Sequence, residues 1–224
     1  MIVAVMCCVA AHAADGGGKL VALTFDDGPN TTTTVKVLDV LKSNDVVATF
    51  FLCGKDIDAS TRDVLKRAVE QGCQLENHSR SHSRMGDMVA DKIRMEVNFT
   101  SHVIRQISGR APQFFRAPFL ETSDVMYETI NLTFIGGLGV DDTNPALDAA
   151  ARSNAVLSKV KDGDIIRLHD SEGNDATVDA LKTIIPELKQ QGYTFVTVSE
   201  LFKRKGVTPV PNAKVTYDNV NGNK

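Results

Sequence analysis

"KLVALTFDDGPN" (residues 19–30) runs from an apolar, β-branched stretch straight into two adjacent carboxylates and a Gly-Pro turn. Together with the residues after it, this stretch decides the fold. "KLVALTF" (19–25) has the composition of a buried strand. "TTTVKVLDVLKSND" (32–45) sets Val37, Leu38 and Leu41 on one face of a helix, and "VVATFFLCG" (46–54) is a second apolar run stopped by Gly54. Two buried strands joined by an amphipathic helix make a parallel β-α-β unit with a right-handed crossover.

The alternation continues. "STRDVLKRAVEQG" (60–72) opens on a Ser/Thr cap and closes at Gly72 as a helix should. "CQLENH" (73–78) is a short strand, 87–108 a longer helix, and "QFFRAP" (113–118) a strand. A short helix near 123–130 precedes one strand over "LTFIGGLGV" (132–140). A helix over 148–163, a strand "DIIRLHD" (164–170), a helix over 177–192, a strand "YTFVTV" (193–198) and a helix "SELFKRKG" (199–206) complete the pattern. The expected architecture is α/β, a distorted (β/α) barrel of about seven parallel strands. No linker divides 15–206, so it reads as one domain; the tail 207–224, polar and carrying two prolines, reads as loosely attached.

The margins narrow the function. A net charge of −3 across 224 residues, with no basic run, gives no footprint for nucleic acid. Nothing points to a protein partner. Residues 1–14 are apolar and then small, and Ala11-His12-Ala13 fits a cleavage site, so this segment reads as a secretory signal and the protein as secreted. No other stretch nears the ~20 apolar residues of a membrane span. Cys53 and Cys73 flank apolar runs and are expected as buried free thiols rather than a disulfide.

In such barrels, chemistry gathers where strands end. The polar residues at those ends form a set: Asp26 and Asp27, His78 and His82, Arg116, Asp141 and Asp142, His169 and Asp170. "HSRSH" (78–82) spaces two imidazoles four apart, which on a helix places both on one face. Two imidazoles and a carboxylate can hold Zn²⁺ or a similar ion with a position left for water. One aspartate of the pair can then bind the cation and the other accept a proton from water. The bland reading of "DDGPN" is a helix cap or Asx turn. Arg116 can keep the proton-accepting carboxylate ionised and oriented. Pro118 fixes a turn that would aim the Phe119 N–H at a developing oxyanion. His169 can act as general acid, kept protonated by an acidic partner for which Asp142 is a candidate. His102, inside the long helix, reads as a surface or packing residue.

In order and separation, "TFDDGP", "HSRSH", "RAPF", the Asp141-Asp142 pair and "LHD" resemble the motifs of the polysaccharide deacetylases, the NodB-homology domain of carbohydrate esterase family 4, over residues 19–205. The resemblance implies a distorted (β/α) barrel and a hydrolase whose bound divalent metal activates water against an acetyl carbonyl. Zinc or cobalt stand ahead of nickel or manganese as that metal. It assigns Asp26 as general base, Asp27, His78 and His82 as metal ligands, Arg116 as partner of Asp26, the Phe119 N–H as oxyanion donor, and His169 as general acid tuned by Asp142. "FFRAPFLETS", "FIGGL" and "IIPELKQQGYTFVTVSELF" look most like the secreted acetyl xylan esterases, so acetylated xylan is the favoured substrate. N-deacetylation of chitin, chito-oligosaccharides or peptidoglycan is the alternative.

Two residues depart from the family pattern. Thr143 stands where the family carries Trp, and the chain has no Trp at all. Arg167 stands where a Leu would pack the acetyl methyl. Residues 167 and 169 of one strand face the same way, so a guanidinium is expected beside the acid. There it could pair with Asp142 or another carboxylate, meet an acidic group of the substrate, or swing to solvent.

Overall fold

The computed structural model describes residues 18–222. The segment read as a signal lies outside the described residues. Nine strands are described: β1 (Lys19–Asp26), β2 (Thr49–Leu52), β3 (Gln74–Asn77), β4 (Phe114–Phe115), β5 (Thr133–Ile135), β6 (Leu138–Gly139), β7 (Ile165–His169), β8 (Tyr193–Phe195) and β9 (Thr216–Tyr217). Seven helices alternate with them: α1 (Thr33–Ser43), α2 (Ala59–Glu70), α3 (Ala90–Ser108), α4 (Asp124–Thr129), α5 (Ala149–Leu157), α6 (Asp175–Gln190) and α7 (Val198–Arg204). The strands pair in the order β6-β7-β1-β2-β3-β4-β5-β9, with β8 also on β1, and every one of these pairings is parallel.

Strand alternation sorts the two faces of β1. Val21, Leu23 and Phe25 enter the core shared with Leu38, Leu41, Leu181 and Ile185 of α1 and α6. Leu20 and Ala22 enter a second core, inside the curl, with Phe51, Phe114, Ile165 and Phe202. On that same inner face of β1, Thr24 and Asp26 follow toward the C-terminal end, so apolar layers give way to polar ones there.

Two expectations change. Residues 132–140 are not one strand. The chain breaks at Gly136-Gly137, and the halves join opposite regions of the sheet, β5 beside β9 and β6 on β7. Gly137 has φ +122°, and a Cβ there would stand 2.6 Å from the Ile165 carbonyl oxygen. Only glycine makes this bend, and the bend lets the ribbon curl into an incompletely bonded barrel. The tail is also not loose throughout. Thr216–Tyr217 adds to the β5 edge, and Tyr217 and Val220 are buried against the inner core. Its prolines, 209 and 211, precede that strand, where they cost no ladder hydrogen bond.

Smaller differences lie at element ends. Asp58, rather than the Ser/Thr pair, caps α2, accepting from the Ser60 and Thr61 amides, while Thr61 bonds back in a capping box. The helix expected over 148–163 ends at Leu157. Cys53 and Cys73 are buried and free, and His102 is exposed on α3.

Candidate active site

Asp26 ends β1 and is 2% exposed. Its carboxylate meets Arg116 Nη1 at 2.5 Å, and the same nitrogen donates to Thr24 Oγ1 at 2.9 Å. Thr24 in turn donates to the Ile166 carbonyl at 2.8 Å, tying the pair to β7. Arg116 is fully buried, with its guanidinium 4.0 Å from the Phe51 ring centroid.

Asp27 follows in a left-handed conformation, φ +75°. Its Oδ1 lies 3.5 Å from His78 Nε2 and 3.2 Å from His82 Nε2. The two histidines do not share a helix. They sit on a loop after β3 in which Ser79 and His82 both have positive φ. Side chains lock that loop. Asn77 Oδ1 accepts from the Ser79 amide at 2.8 Å, and Glu96 of α3 accepts from the amides of Arg80 and Ser81 at 3.0 and 2.8 Å. Left-handed turns, not helical pitch, bring the imidazoles together.

The donor set fits a divalent cation. One ligand atom each from Asp27, His78 and His82 lies within 4.8 Å of the others. His78 Nδ1 is 2.6 Å from the Arg116 carbonyl oxygen, an acceptor only, so Nδ1 carries the proton and Nε2 is turned toward Asp27. Asp27 Oδ1 is buried and has no hydrogen-bond partner. Burial alone would raise the Asp27 pKa, but the imidazoles of His78, His169 and His82 outweigh it and hold it at about 2. Burial, then the charge of His78, lowers the His82 pKa, which favours the neutral, ligating imidazole. A buried carboxylate oxygen and two imidazole nitrogens converging without another acceptor or donor between them are a seat for a cation.

Opposite stands the second charged pair. His169, at the end of β7, contacts Asp142 Oδ1 through Nδ1 at 2.7 Å, and its amide donates to Asp142 Oδ2 at 2.8 Å. Thr177 also donates to Asp142 Oδ2 at 2.9 Å. Burial would lower the His169 pKa, but the hydrogen bond to Asp142 and the charges of Asp26, Asp142 and Asp27 raise it.

Asp26, Asp27, His78, His82, Asp142 and His169 line one cavity of about 640 Å³, whose walls also include Phe119, Gly139, Thr143 and Arg167. Phe119 is 53% exposed, meets His82 edge-on at 4.8 Å and carries the Arg84 guanidinium at 4.3 Å. Arg167 does not swing away from the site. It lies against Gly139 of the neighbouring strand, where a Cβ would stand 2.2 Å from its Nη2. It does not pair with Asp142 and makes no ion pair with a described residue, and its Nε is buried without a partner. Sequence reasoning missed Thr24 and gave Asp170 no role. The period of two back from Asp26 points to the first. Its place at a strand end marked Asp170, but its role has no local signal, because its partners lie 136 and 142 residues away.

A parallel barrel with a cation seat, a buried carboxylate held by arginine and an acid-tuned histidine around one cavity is the site of a hydrolase that uses a divalent metal. The chain belongs to the polysaccharide deacetylase family, which it matches over residues 13–134. It is 48% identical over 197 residues to a bifunctional xylanase/deacetylase of Pseudobutyrivibrio xylanivorans, covering 88% of this chain and 33% of that protein. This chain therefore spans about a third of that relative. It is 35% identical over 188 residues to a peptidoglycan-N-acetylglucosamine deacetylase of Bacillus cereus, covering 82% and 68% of the two chains. A family 4 acetyl xylan esterase of Clostridium thermocellum, solved with a cobalt ion, superposes with a TM-score of 0.88 at 45% identity, covering 90% of this chain and 99% of that one.

Proposed function

We propose that this protein is a secreted carbohydrate esterase that removes O-acetyl groups from xylan with a divalent metal, zinc or cobalt, held by Asp27, His78 and His82. The observation that carries the chemistry is the convergence of that donor set with the Asp26–Arg116 and His169–Asp142 pairs on one cavity. The preference for xylan is supported by the higher identity to the xylan-named relatives than to the peptidoglycan deacetylase. Secretion is supported by the pattern of residues 1–14.

When bound, the metal polarises the acyl carbonyl and lowers the pKa of water. The rest of the work falls to side chains. Asp26, oriented by its contact with Arg116, takes a proton from the attacking water. The Phe119 N–H steadies the oxygen that gains charge as water adds to the carbonyl carbon. His169, kept protonated by Asp142, gives a proton to the sugar oxygen as its bond to the acyl carbon breaks. Acetate and a free sugar hydroxyl result.

The test is acetate release from acetylated xylan and from N-acetylglucosamine oligomers, each with a chelated control. Chelator-sensitive release from xylan is expected. Release from the amino-sugar oligomers alone would overturn the substrate reading in favour of N-deacetylation.

A further inference from the structure

Asp170 is a fully buried acid that the proposed chemistry does not use. Every polar group it has is spent on the segment that carries Asp26 and Asp27. Its Oδ1 accepts from the Gly28 amide at 3.1 Å, and its Oδ2 accepts from Thr34 Oγ1 at 2.5 Å. Its own amide donates to the Asp26 carbonyl at 3.1 Å, and its carbonyl accepts from Asn30 Nδ2 at 2.7 Å. Thr34 passes the restraint on, accepting from the Asn30 amide at 3.0 Å. No basic side chain is paired with Asp170 among the described residues, and a buried carboxylate without one is costly.

The grip falls on the peptide that follows Asp27. Asp27 is held at φ +75°, a left-handed conformation that disfavours non-glycine residues. The next amide, Gly28 N–H, is the one fixed by Asp170 Oδ1. The approach requires glycine, since a Cβ on Gly28 would stand 2.4 Å from Asp170 Oδ2. With the peptide fixed on one side and β1 on the other, the Asp27 side chain points at His78 and His82.

We propose that Asp170 is a positioning residue for the metal seat: it clamps the 26–34 turn so that Asp27 completes the ligand set. The inference rests on the reading of Asp27, His78 and His82 as metal ligands. Outer supports of this kind govern metal affinity because they fix the ligand's direction before the metal arrives.

The experiment measures zinc affinity of the chelator-stripped protein by competition with a chromophoric chelator, alongside thermal unfolding of the metal-free forms. Asp170→Ala removes both side-chain acceptors and is expected to weaken zinc binding about 10–100-fold in folded protein. Asp170→Asn keeps an oxygen for the Gly28 amide and is expected to recover most of the affinity. Should Asp170→Ala fail to fold, Thr34→Val removes one arm of the clamp and is expected to weaken zinc binding in folded protein to a smaller degree. Folded Asp170→Ala with wild-type zinc affinity overturns the inference alone, as does unchanged affinity in Thr34→Val when the alanine variant is unfolded. Wild-type protein that binds no zinc overturns the ligand reading and the inference with it.

Discussion

At the scale of the residue, two neighbouring aspartates are separated by their surroundings. Asp26 faces a buried guanidinium, and Asp27 faces two imidazoles. The pair therefore need not share one field, and each can hold a different task. Asp26→Asn keeps the volume and removes the proton acceptor. Zinc binding should persist while turnover falls roughly 10²–10⁴-fold, the usual worth of a positioned base; near-native turnover would refute the base role. His169 sets the other limb of the pH profile. Its pKa is raised by Asp142 and by the nearby aspartates, so its acid form is present below that raised value and lost as pH climbs through it. Asp142→Asn removes one of the raising charges, and the alkaline limb of kcat/KM should move to lower pH. An unmoved limb would detach His169 from that limb. The aspartate pair, both histidines, Arg116 and His169 were legible in the sequence because strand ends collect them. The lie of Arg167 over Gly139 was not, since it depends on the neighbouring strand β6, which the sequence does not show as separate.

At the scale of the element, the decisive pieces are irregular. The H-S-R-S-H spacing suggested a helical face, yet left-handed residues at 79 and 82, braced by Glu96, do the gathering. Spacing revealed which residues meet, and not how, because a loop held by distant side chains has no period to read. Gly136-Gly137 shows the same limit. An apolar run with two glycines reads as one weak strand, but the glycines let its halves leave for separate strands. Gly137→Ala sets a Cβ against the Ile165 carbonyl and forces alanine to φ +122°. Urea unfolding should show a loss of at least roughly 1–3 kcal/mol, the cost of a strained backbone position. Unchanged stability would mean that the bend is not what glycine is needed for.

At the scale of the whole molecule, the order of strands and helices was legible from the chain's alternation, and the extra strand at its end was not. "VTYDNV" is too short to declare itself, and β9 exists only because the β5 edge offers it hydrogen bonds. Ending the chain after residue 207 removes Tyr217 and Val220 from the inner core and uncovers that edge. Each buried apolar side chain is worth about 1.5–3 kcal/mol, so the shortened protein should lose at least roughly 3 kcal/mol in denaturant unfolding. Equal stability would show that the tail is dispensable.

The proposed esterase chemistry depends on one divalent cation seated by Asp27, His78 and His82. The most direct measurement is acetate release from acetylated xylan by chelator-stripped protein as zinc or cobalt is added in fractions of an equivalent. Release should be negligible at the start, rise with added metal and level off at about one equivalent, as a single three-ligand site requires. Full activity in the stripped, metal-free protein would contradict the account, and so would fully loaded protein that releases no acetate.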